Sequence, residues 1–228
     1  MRIVIAQILL AVLLSSSSQA QKSNILGSVS PKLRQFLTAH PEASLALSNA
    51  PSEAFHNRAV QLYYMYSDDE SIARAFHYYP DETSVGIVIR ENQQPCDECI
   101  CLIYETLNSL GEKQFQELAE RAKSGTVTKA DFVKGIFQQE FPVEMKMQKI
   151  VGSFRITNKE KNESYFYNRL MQEPNGFEKA MAYKKKAAPK QELIKFYERE
   201  YDDLRDSESR SNTALEPTAS APSVSTNK

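Results

Sequence analysis

The residues best able to do chemistry sit together in six positions, Cys96-Asp97-Glu98-Cys99-Ile100-Cys101. Cys96 and Cys99 have the spacing of a redox dithiol, and a helix starting at Pro95 would stabilise a thiolate at its N-terminus. Asp97 and Glu98 lie between the two sulfurs and oppose that thiolate. Both cysteines also fall on an apolar face, where cysteine is ordinary core material. On a helix Cys96 and Cys99 are three apart and face the same way, close enough for a local disulfide. Cys101 lies about 140° around the helix from Cys96 and would stay unpaired. Three thiolates do not complete a four-coordinate zinc site, although His77 could supply a fourth ligand.

Two further segments invite a site. Residues 120–131 have the outline of a calcium loop, with Gly125 at its centre and Glu120, Ala122, Ser124, Thr128 and Asp131 at ligand positions. An alanine among the ligands and the lack of a closing glutamate leave too little charge for Ca²⁺. A glycine helix stop followed by a Thr128-capped helix explains the same residues. Asn162-Glu163-Ser164 is an N-glycosylation sequon, relevant to a eukaryotic secretory pathway.

Residues 1–20 read as a secretory signal peptide. Arg2 gives a positive start, and Ile3–Leu14 is an apolar run broken only by Gln7. Ser15–Ala20 supplies small residues, so cleavage between Ala20 and Gln21 is expected. A run of twelve residues is short of the roughly 20 that span a membrane. The mature chain is therefore expected to be soluble, secreted or periplasmic, with no membrane span. The 228 residues less these 20 leave 208, enough for a single domain with a sizeable core. The whole chain holds 28 basic and 29 acidic residues, and loss of Arg2 takes its net charge from -1 to -2. Such balance argues against nucleic acid as a partner. Lys184-Lys185-Lys186 is the only basic run and reads as a solvated helix edge.

The elements that must position these groups change type along the chain. Residues 21–29 read as a flexible leader. Ser30-Pro31 opens a short helix with Leu33, Phe36 and Leu37 on one face. From 58 to 91, alternating Val60, Leu62, Tyr64 and Tyr66, then Phe76 and Tyr78, then the run Val85–Ile89, predict a three-stranded antiparallel meander with turns near 67–70 and 80–82. After residue 92 the period turns helical. Gly111 ends a first helix, and Gly125 ends a second over 112–123. Phe132, Val133, Ile136 and Phe137 form the stripe of a third, which Pro142 should kink or end. Residues 143–156 fit strand or helix equally. Helices around Leu170, around Met181 and from Pro189 follow. From Asp206 the Ser/Thr/Ala/Pro composition predicts a disordered tail over 206–228. The expected fold is α+β, a single domain over about 30–205 with a small sheet and five or more helices.

A sheet followed by a helix opening on Asp97-Glu98-Cys99-Ile100-Cys101 resembles the zincin metallopeptidase layout across residues 58–150. In that family a helix carries H-E-x-x-H. Glu98 matches the glutamate, while Asp97 and Cys101 stand where the histidines would be. The resemblance implies that Glu140 or Glu144 on a later helix would supply the third ligand. It thus implies a metal set drawn from Asp97, Cys101, Glu140 and Glu144, on a scaffold without standard zinc chemistry.

No complete set of nucleophile, base and ligands is present in recognisable spacing. The sequence therefore points first to an exported, non-enzymatic binding or interaction module with no cofactor and a protein partner. An enzyme or inactive relative on a zincin-like scaffold is the second reading. A thiol-redox protein using Cys96 and Cys99 is the third.

Overall fold

The computed structural model describes residues 29–54, 59–66, 75–81, 84–186 and 188–213. The signal segment, the Ala20/Gln21 junction, the turn at 67–70 and residues 214–228 lie outside them.

Among the described residues two helices come first, α1 (Pro31–Ala39) and α2 (Pro41–Ala54). Ser30 caps α1 by accepting a hydrogen bond from the Leu33 amide, and Pro31 fits the first turn. Val29, expected in the leader, is instead 5% exposed and packs in the core.

Strands β1 (Ala59–Met65), β2 (Ala75–Asp81) and β3 (Ser84–Arg90) form one sheet in the order β1-β3-β2. β2 and β3 pair antiparallel, as expected, from Ala75 opposite Ile89 to Asp81 opposite Ser84. β1 does not join a meander: it pairs parallel with β3, from Ala59 opposite Ser84 to Met65 opposite Arg90. The reason is burial. Every residue of β3 from Ser84 to Ile89 is buried, so this continuous apolar run needs cover on both faces and takes the centre. The alternating strands β1 and β2 are left as edges, and β1 reaches its place by crossing over.

Val60, Leu62 and Tyr64 of β1 and Val85, Ile87 and Ile89 of β3 turn into the core. The period of two sends Tyr63 and Tyr78 to the other face, with ring centroids 6.2 Å apart. Tyr78 lies directly over Gly86, where an added Cβ would meet its ring carbons at 2.2 and 2.3 Å. A Gly86→Ala variant should therefore lose about 1–3 kcal/mol as the ring is displaced. A urea midpoint equal to that of the parent would show that Tyr78 swings away freely.

Helix α3 (Pro95–Asn108) is the hub, packing against α1, α2, β2, β3 and two later helices. Cys99, Leu102 and Ile103 are fully buried, and so is nearly every other side chain of the helix. The single apolar stripe expected for it is thus an underestimate. Leu110, two residues past its end, is 51% exposed. Gly111 does not stop the chain: a 3-10 turn, Ser109–Gly111, runs straight into α4 (Glu112–Lys123).

α4 ends in a Schellman motif. The amides of Gly125 and Thr126 bond the carbonyls of Ala122 and Arg121, with Gly125 at φ +72. Thr128 then caps α5 (Lys129–Gly152) by accepting from the Asp131 amide, so the 120–131 segment is a helix stop followed by a capped start. α5 runs unbroken through Pro142 and settles 143–152 as helix. Proline in a helix interior costs about 3 kcal/mol. Here the turns on both sides are buried, Phe132, Val133, Ile136 and Phe137 before it and Met147 and Val151 after it, and that packing outweighs the lost bond.

Four more helices complete the fold: α6 (Asn158–Glu163), α7 (Tyr165–Met171), α8 (Phe177–Lys186) and α9 (Ala188–Thr213). α9 continues past Asp206 to Thr213, so the first part of the expected tail is helical. Extending a formed helix adds one hydrogen bond per residue fixed, so little apolar burial is needed there. The architecture is α+β with a helical bundle, and no helix among the described residues is long and apolar enough to cross a membrane.

Candidate functional site

The apolar interior has two parts. One holds the sheet, α1–α3, the C-terminal half of α5 and Leu170 of α7. The other holds α4, the N-terminal half of α5, α8 and α9. α5 belongs to both, and its polar residues Glu140 and Glu144 fall where the two meet. They are one turn apart, 2% and 7% exposed.

This seam carries several of the charged groups of the interior. Lys184 of α8, 1% exposed, donates to both Glu144 oxygens at 2.8 and 3.0 Å. Its ammonium lies 3.0 Å from Glu173 and 5.1 Å from the centre of the Phe137 ring. Tyr197 of α9 donates to Glu140 at 2.6 Å. Burial first, then Glu140 and Glu144, push the Tyr104 hydroxyl well above its usual range. Burial works against the charge of Arg169, but Tyr165, Glu144, Tyr104 and Glu140 outweigh it and push its pKa up. On the sheet side, His77 Nδ1 lies 2.8 Å from a Glu105 carboxylate oxygen, both buried. Lys184 is the main correction to the sequence reading. Only Lys185 and Lys186 of that basic run are exposed. Its position three and four residues beyond Met181 and Ala180, both buried, was the available signal.

The acidic pair at the start of α3 is also spent internally. Asp97, 2% exposed, accepts from the Ser164 hydroxyl and from the amides of Tyr165 and Phe166 at 3.1 and 2.9 Å, fastening the start of α7. Glu98 accepts from the hydroxyls of Ser30 and Tyr64, while the Ser30 amide donates to Tyr64 at 2.7 Å. That three-way knot joins α1, β1 and α3. Asp97 and Glu98 therefore tie α3 to other elements.

The four residues implied as a metal set go to different partners. Asp97 holds α7, Cys101 Sγ lies 3.8 Å from Gln93 Oε1, Glu140 holds Tyr197, and Glu144 holds Lys184. Only Glu140 and Glu144 share a place. Among the described residues no three His, Cys, Asp or Glu side chains are grouped to hold a metal ion.

No disulfide links Cys96, Cys99 and Cys101 in this structure, and all three are buried. Burial pushes the Cys96 thiol up to about 11, with Asp97 and Glu160 adding to it against a Ser164 hydrogen bond. Cys99 is likewise pushed up, by burial and then by Cys96 and Glu98. A thiol whose pKa is raised on folding contributes stability below its unfolded pKa, near 9, and loses it as pH rises toward the folded value. Unfolding free energy should therefore fall between about pH 9 and pH 11, by roughly 2–3 kcal/mol from Cys96 alone at 1.36 kcal/mol per unit. Urea midpoints at pH 8 and pH 11 should differ less in a Cys96→Ala variant than in the parent. Equal differences would mean that water reaches the thiol.

One open groove of about 520 Å³ flanks the seam, lined by Phe141, Met145, Gln148, Lys149, Asn175 and Gly176. Gln148 donates from its side chain to the carbonyls of Leu170 and Glu173, both at 2.7 Å. It thereby fixes the loop that closes the groove, and Gly176 turns that loop at φ +97. No local pattern along the chain marks the groove, because its two sides come from segments about thirty residues apart.

No family model, curated protein or solved structure matches this chain.

Proposed function

We propose that this protein is exported and acts as a non-enzymatic binding module. The observation that carries the reading is the use to which its reactive groups are put. Asp97, Glu98, Glu140, Glu144 and Lys184 are each buried and hydrogen-bonded or ion-paired to another part of the fold, as ties between helices. The surface offers instead the mainly apolar groove beside α5 and exposed side chains such as Tyr66 and Met171. A contiguous apolar surface such as the groove is a usual mark of a contact site, whereas single exposed side chains are normal.

The test is a metal, thiol and crosslinking study of the mature chain. A photo-crosslinking residue at Lys149, on the groove, should capture a defined extracytoplasmic protein, while the same group at exposed Lys113 on α4 should not. Zinc near one equivalent would instead support the zincin-like reading. A Cys96/Cys99 dithiol that cycles with a mild oxidant would support the redox reading. Thiol counting on denatured, unreduced protein decides the local bridge. One free thiol mapped to Cys101 supports it, and three exclude it.

A further inference from the structure

The sequon Asn162-Glu163-Ser164 spans the break between α6 and α7, and the fold treats its two key residues in opposite ways. Asn162 is exposed, and among the described residues no group engages its carboxamide. Its neighbours are held without it, for the Asn168 side chain donates to the Lys161 carbonyl at 2.8 Å and to the Ser164 carbonyl at 2.9 Å. Ser164 has no exposed surface at all. Its hydroxyl donates to Asp97 and accepts from the Tyr167 amide at 3.0 Å, capping α7.

We infer that Asn162 is an acceptor for an N-linked glycan, installed only while the chain is unfolded. The inference rests on the export reading above, because the sugar donor is available only along the secretory route. In the step, the Asn162 amide nitrogen attacks the anomeric carbon of a lipid-pyrophosphate oligosaccharide. An N-glycosidic bond forms, the lipid pyrophosphate leaves, and the nitrogen gives up one proton. Recognition of this motif requires the hydroxyl two residues on. In the nascent chain that hydroxyl is free. In the folded protein it is sealed between Asp97 and α7, so folding closes the window. The exposed carboxamide of Asn162 leaves room for the product, and the glycan would project from the last turn of α6 without breaking a contact.

The experiment is secretion of the full chain, with its own residues 1–20, from a eukaryotic cell line, followed by peptide mass mapping. The expected result is a chain starting at Gln21 whose Asn162 peptide carries a glycan. Peptide-N-glycosidase should remove it and leave an aspartate mass at that position. Asn162→Gln should abolish the glycan while leaving the melting temperature of the deglycosylated protein unchanged. A secreted chain that starts at Gln21 with an unmodified Asn162 overturns the inference and leaves export standing. A chain retained in the cell with residues 1–20 attached overturns both. Folded, unglycosylated protein and a synthetic peptide of residues 158–168, offered to an oligosaccharyltransferase in vitro, test the timing. The peptide should be modified and the folded protein should not, and equal rates would overturn the ordering by folding.

Discussion

Replacing Lys184 with methionine is expected to destabilise the protein by about 3–5 kcal/mol, the usual cost of leaving a buried charge without its partner. The ammonium pairs with both Glu144 and Glu173, whose side chains are 9% and 2% exposed. Methionine keeps the stem's packing near Phe137 but strands two carboxylates side by side. Arg169 lies in the same field but does not replace a partner at 2.8 Å. Urea unfolding followed by far-UV circular dichroism reads the loss as a lower midpoint at constant slope. The triple variant Lys184→Met, Glu144→Gln, Glu173→Gln should recover most of it, since the carboxylates no longer carry charge. A loss under about 1 kcal/mol in the single variant, with no recovery in the triple, would show that water already solvates the seam.

Asp97→Ala should cost about 3–4 kcal/mol. The carboxylate takes three hydrogen bonds, two of them from the first amides of α7 and one from a hydroxyl with no surface of its own. Bonds to a charged group contribute about 1.5–3 kcal/mol each, less than additively when they share an acceptor. Losing the carboxylate leaves the Ser164 hydroxyl buried without an acceptor and unties the first two amides of α7. Ser164→Ala should cost less, because Asp97 still binds both amides. The double variant should lose little beyond Asp97→Ala alone, a coupling that a double-mutant cycle resolves. If Asp97 were instead a metal ligand, as the zincin resemblance implies, Asp97→Ala would release bound metal, and Ser164→Ala would not.

Much of the local structure was legible along the chain. Ser30-Pro31 set the start of α1, and Gly125 followed by Thr128 set the stop of α4 and the start of α5, because caps and glycine turns act within a few residues. The change from period two to period 3.6 near residue 92 divided sheet from helices, and the run Val85–Ile89 marked the most buried strand. Those signals were enough for an α+β domain in which most of the helices follow the sheet.

What the chain could not show was which distant residue each buried group would meet. The parallel placement of β1 against β3 depended on a crossover, which no local periodicity encodes. Pro142 reads as a helix kink or end in isolation, yet burial on both flanks carries α5 through it. Lys184 reads as solvated beside Lys185 and Lys186, yet partners on α5 and after α7, 40 and 11 residues back, bring it inside. Asp97 and Glu98 read as neighbours of the two sulfurs on their own helix, yet they bind groups 67 and 68 positions away. Propensity, capping and periodicity act over one or two turns, so sequence alone determined the elements. Desolvation and pairing of buried charge act between segments brought together only by folding, and so the tertiary structure alone decided that these groups hold the fold together.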